Sequence, residues 1–140
     1  MISLAGQRDL AATNVLVLAL DAATPLNLTA EHVLVVAPAL NTRLRHWLSD
    51  DDTARRAAQE RVEAVVSRLE CAGVETSGRI GDADPVQAIA DALWTFAADE
   101  VVITAHDERS RRFAHEVAAR ARKRFELPIV EIDEQFLRAA

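Results

Sequence analysis

One cysteine, Cys71, stands among 140 residues, which excludes an internal disulfide and leaves no thiol pair for a metal ion. That usage fits a reducing compartment, and a cytoplasmic location is the expectation. A basic surplus is also lacking: 16 Lys and Arg face 22 Asp and Glu, for a net charge of -6 and a pI near 5.2. Such a balance disfavours a phosphate backbone as partner, so no nucleic acid is expected. Two dense basic runs, Arg109 to Arg112 and Arg120 to Arg124, are interleaved with or flanked by Asp107, Glu108, Glu116 and Glu126, which cancel most of their long-range field. They read as solvated helix faces. Long apolar runs are missing too. Val15 to Leu20, bracketed by Asn14 and Asp21, is far shorter than a membrane span and reads as a strand rather than a leader, so no membrane partner is expected. No internal repeat or low-complexity segment occurs, and the length predicts one domain over residues 1–140 that buries a core without staples. Residues 1–13 read as an N-terminal arm and 133–140 as a C-terminal tail.

What is present is organised around Arg79 to His106. Gly81 permits a sharp turn, Asp84 suits an N-cap, and Pro85 suits the first helical position, where its missing N–H has no intrahelical partner in any case. Val86, Ile89, Ala90, Leu93 and Phe96 then recur at helical spacing, and Val101-Val102-Ile103 is the short β-branched run of a strand covered on both faces. Two more such runs, Val15 to Leu20 and His32 to Ala37, lie close together. Their connection, Asp21 to Glu31, is near the minimum for a parallel return, so the first crossover helix is expected to be shortened or missing. Asn41 or Thr42 can cap a short helix carrying Leu44, Trp47 and Leu48. The run Ser49-Asp50-Asp51-Asp52 precedes a helix whose stripe is Ala54, Ala58, Val62, Val65 and Leu69, stopped at Gly73. Those carboxylates are explained by the positive helix end, and without spaced ligands they predict no metal. Val74 to Ile80 alternates, with Gly78 in its inward series, and reads as an edge strand. Phe113, Val117, Ala121 and Phe125 mark the last helix, and Pro128 to Ile132 the last strand.

Three segments carry a resemblance: Val17-Leu18-Ala19-Leu20-Asp21-Ala22-Ala23, then Gly81-Asp82-Ala83-Asp84-Pro85 with Ala88-Ile89, then Ala98-Asp99-Glu100-Val101-Val102-Ile103 with His106. Together they resemble the universal stress protein family over about Val15 to Ile132. The resemblance implies an α/β fold of the adenine nucleotide alpha hydrolase-like kind, a doubly wound parallel five-stranded sheet, and right-handed crossovers agree with its order 3-2-1-4-5. It also implies a non-catalytic role in a stress response and a homodimer.

ATP-binding members of that family carry a Gly-x-x-Gly turn and, further on, a Gly-Ser or Gly-Thr pair. Here Thr104 and Asp107 stand at the first two glycine positions and His115-Glu116 at the pair. A Cβ blocks close approach to phosphate and a carboxylate repels it, so no ATP and no other cofactor is expected. Open α/β sheets bind ligands beyond the carboxyl ends of their strands, which makes Asp21, Thr104, His106 and Arg109 the ligand-binding candidates for a smaller or uncharged molecule. Asp82 and Asp84 form no complete catalytic constellation, since Asp84 is committed as a cap, and no enzyme is expected. The final strand is expected to lie at a sheet edge, leaving apolar side chains uncovered. Ile129, Val130 and Ile132 are thus candidates for pairing with a second copy, with Phe136 and Leu137 folding over it and a proline at Val130 weakening it. A separate protein partner is the other route.

Overall fold

The computed structural model describes residues 13–21, 28, 30–40 and 51–132. Its elements are β1 (Asn14–Ala19), β2 (His32–Pro38), α1 (Asp51–Cys71), β3 (Glu75–Gly81), α2 (Pro85–Leu93), β4 (Glu100–Thr104), α3 (Glu108–Arg124) and β5 (Ile129–Ile132). All strand pairs are parallel, in the order β3-β2-β1-β4-β5. The expected α/β sheet and strand order are therefore present. The first crossover, the helix from Asn41, the acidic run before α1, the N-terminal arm, and Phe136 with Leu137 lie wholly or largely outside the described residues.

Period-two alternation in strands made almost wholly of apolar residues gives the sheet two dry faces. Leu16, Leu18, Leu34, Val36, Val101, Ile103 and Ile129 meet Val86, Ile89 and Ala92 of α2 and Ala114, Val117 and Ala121 of α3. On the other face Val15, Val17, Val33, Val35 and Val102 meet Ala58, Val62, Val65 and Leu69 of α1. The stripe read for α1 is the buried one, including Ala54. In α2 the buried small residues are Ala88 and Ala92, whereas Ala90 is only half-buried, because Ala88 lies directly against Gly81.

Two glycines set how closely helices approach the sheet. A Cβ at Gly78 would collide with Val62 Cγ1, and one at Gly81 would lie 2.7 Å from Ala88 Cβ and 2.8 Å from Val36 Cγ1. The turn at Gly81 thus needs glycine for contact. A positive φ occurs only at Gly73 among the described glycines, at 87°, where it ends α1.

Caps were well signalled. Asp84 accepts from Val86 N–H at 3.1 Å with Pro85 next in line, and Asp82 in turn accepts from Asp84 N–H at 2.8 Å. Arg120 of α3 reaches Asp84 at 3.1 Å, tying the two helices on that face. At the amino ends of the strands, Asp99 Oδ2 accepts from the N–H groups of Thr13 and Asn14 at 2.8 and 2.9 Å. Asp99 N–H donates to the Asn14 carbonyl at 2.8 Å, and Asn14 Nδ2 to the Ala97 carbonyl at 3.1 Å. The start of β1 is thereby stapled to the approach of β4.

Candidate functional site

The carboxyl ends of β1 and β4 lie side by side, as Ala19 pairs with Thr104. Thr104 is fully buried, and its hydroxyl lies 3.5 Å from the carbonyls of Leu18 and Asp21. This brings Asp21 and Thr104 together, with the buried hydroxyl turned toward the end of β1. His106 is half-buried two residues on, and its carbonyl accepts from Arg111 Nη1 at 2.7 Å. Arg109 is exposed on the first turn of α3 and makes no ion pair among the described residues.

Between β4 and α3 the chain spends only Ala105, His106 and Asp107. Asp107 is the N-cap, with extended backbone, and its Oδ1 accepts from Ser110 N–H at 2.8 Å. That N–H holds its carboxyl below the ordinary aspartate range, with the Ser110 hydroxyl, the His106 side chain and Arg109 N–H adding to the effect. Asp99 is lowered in the same way by the N–H groups of Asn14 and Thr13. The positive end of α3 therefore already holds an anion, supplied by the chain itself.

Beside it is an open depression of about 580 Å³, walled by Leu20, Leu40, Arg109, Arg112, Phe113 and Glu116. Of the four residues singled out in the sequence, only Arg109 lines it. Arg112, Phe113 and Leu40 were not foreseen; the i, i+3 spacing of Arg109 and Arg112 on one helix face was the available signal. Arg61 of α1 was also missed. Its guanidinium spans two strand ends, donating from Nε to the Ala19 carbonyl at 3.3 Å and from Nη2 to that of Pro38.

Near the β5 edge, Arg122 Nη2 donates to the Ile129 carbonyl at 2.7 Å, and its Nη1 lies 3.4 Å from Glu131 Oε2. His115 Nδ1 lies 3.4 Å from the other oxygen of Glu131. Ile129 and Ile132 are buried within the single chain, at 6% and 4% exposure, because Ile129 joins the core on the α3 side of the sheet and Ile132 the core on the α1 side. This corrects the expectation that β5 leaves its apolar side chains uncovered; what its edge offers is backbone. The orientation of that backbone also corrects the reading of Val130. The carbonyls of Pro128 and Ile132 accept from Val101 and Ala105 of the β4 side, so by alternation Val130 N–H faces β4, while Ile129 and Glu131 face outward.

Among the described residues no group of three His, Cys, Asp or Glu is arranged to hold a metal ion, and no helix is long and apolar enough to cross a membrane. The fold and site define an open parallel α/β protein with a carboxylate-capped helix at its strand ends. A scan against protein-family models finds no match to this chain, and a search of the curated proteins finds none.

Proposed function

We propose that the protein is a non-catalytic module of the universal stress protein type that does not use ATP and acts through protein contact, as a homodimer through β5 or with a protein partner. The observation that supports it is Asp107. A nucleotide phosphate on α3 would have to displace a carboxylate already hydrogen-bonded to Ser110 N–H, and the two like charges repel at that range. Titration calorimetry with Mg-ATP tests the reading. No heat of binding is expected up to about millimolar nucleotide, and micromolar affinity would overturn it.

A second reading, a small-ligand or nucleotide sensor using the crevice at the carboxyl ends of β1 and β4, draws on the depression beside Arg109. Leu20, Leu40 and Phe113 offer an apolar floor and Arg109 with Arg112 a cationic rim, which suits a small apolar carboxylate better than a polyphosphate. Ligand at about a hundred times its dissociation constant would add about 2.7 kcal/mol, visible as a thermal shift that Arg109→Ala removes.

A further inference from the structure

We propose that Arg122 is a latch on the outer edge of β5: its guanidinium occupies the backbone position that a second copy of this chain needs, so strand pairing between copies begins only when Arg122 lets go. The inference rests on the β5 dimer reading and adds what controls it. On that edge the outward groups are the N–H and carbonyl of Ile129 and of Glu131. Across a two-fold axis passing between two Val130 residues, Ile129 lies opposite the partner's Glu131. Each such pair can exchange two hydrogen bonds, so the four outward groups of one chain match the four of its copy. Arg122 interrupts this match. Its Nη2 holds the Ile129 carbonyl at 2.7 Å, which is one of the acceptors the copy requires. The latch is anchored a second time, since Glu131 Oε2 holds Nη1 at 3.4 Å while His115 sits on the other carboxylate oxygen. A cationic side chain laid on an outer strand is a known device against edge-to-edge association, and here it is attached to the strand it guards. Among the described residues no strand lies beyond β5.

Arg122 is half-exposed, so Arg122→Met keeps the aliphatic stem and the fold while removing the donors. Sedimentation velocity over a concentration series, with circular dichroism melts as a control on folding, compares wild type, Arg122→Met, Glu131→Gln and the double variant Arg122→Met with Val130→Lys. Arg122→Met is expected to tighten dimerisation by about tenfold or more, the scale of one charge-assisted hydrogen bond released per chain. Glu131→Gln removes the second anchor and is expected to shift Kd the same way by less. The double variant sets two lysines opposite each other on the axis and is expected to be monomeric. A dimeric wild type whose Kd is unchanged or weakened by Arg122→Met overturns the latch and leaves the β5 dimer standing. Wild type and Arg122→Met both monomeric at about 1 mM overturn the β5 dimer itself, and the latch with it. A double variant that stays as dimeric as Arg122→Met places the contact elsewhere and overturns both.

Discussion

Two aspartates carry more of the structure than their exposure suggests. Asp99 and Asp107 each accept backbone N–H groups that no other part of the chain satisfies among the described residues, and both carboxyls titrate below the ordinary aspartate value for that reason. A depressed folded-state pKa means that the stabilisation is fully present above the unfolded value and disappears as pH falls through the folded one. The gap in melting temperature between wild type and Asp99→Asn or Asp107→Asn is therefore expected to be largest at neutral pH. It should hold down to about pH 4 and close below that, as a melting series across acid pH would record. Glycine acts at the same scale. Gly81→Ala must push Ala88 and Val36 apart, and the expected loss is about 1–3 kcal/mol in a urea unfolding measurement. Asp107 stood out in the sequence as a carboxylate beside a basic run, not as a cap. Its role as a cap depends on α3 beginning immediately after it, a boundary that the apolar spacing of Phe113, Val117 and Ala121 leaves open by a turn.

At the scale of elements, order along the chain was legible wherever two local signals agreed. Asp84 before Pro85 fixed the start of α2, and Val101 to Ile103 fixed a strand buried on both faces, as it is. β3 was legible as an edge because its residues alternate and include Gly78, and its burial is the weakest of the strands. Hydrogen exchange is expected to follow this layout, with β1 and β4 amides the slowest and those of β3 and β5 opening earlier. Slower exchange in β3 than in β1 would contradict the order. What could not be read were contacts that depend on one element crossing another. Arg61 meets Ala19 from 42 residues away, and no spacing rule connects them. Thr104 was singled out for lying at a strand end, yet the neighbouring strand end takes up its hydroxyl. Val130 shows the same limit in a single residue: Val130→Pro removes a donor from the β4–β5 ladder, so it is expected to lower the melting temperature whatever the oligomeric state.

For the whole molecule, the two ends of the sheet behave differently. The carboxyl ends carry the depression, the Arg61 bridge and the capped α3; the amino ends carry the Asp99 staple. A doubly wound sheet gathers loops at its carboxyl ends in any case, so the general location was legible from topology alone. The particular residues were not, because Arg112 and Phe113 become wall residues only once α3 has settled its rotation about Val117 and Ala121. A whole-molecule consequence is that replacing Asp107 by glycine alone is not expected to create ATP binding. The charge is removed, but Thr104 remains buried at the end of β4 and Glu116 remains on the rim of the depression. Calorimetry on Asp107→Gly checks this, and millimolar or tighter binding of Mg-ATP would show that the cap alone had kept nucleotide out.

The staple at the start of β1 has a mechanical side. Thr13 and Ile132 lie at opposite ends of a sheet whose strands all run the same way, so tension applied between them pulls along the strands rather than across them. The β1–β4 and β4–β5 ladders then bear force in shear, many hydrogen bonds at once, and cannot open one at a time. Asp99 grips Thr13 and Asn14 at the point where that tension enters. A chain stretched between these two positions in an optical trap is expected to yield in one abrupt rupture. Asp99→Ala should lower the rupture force, because the first residues of β1 would then peel away before the ladder as a whole resists.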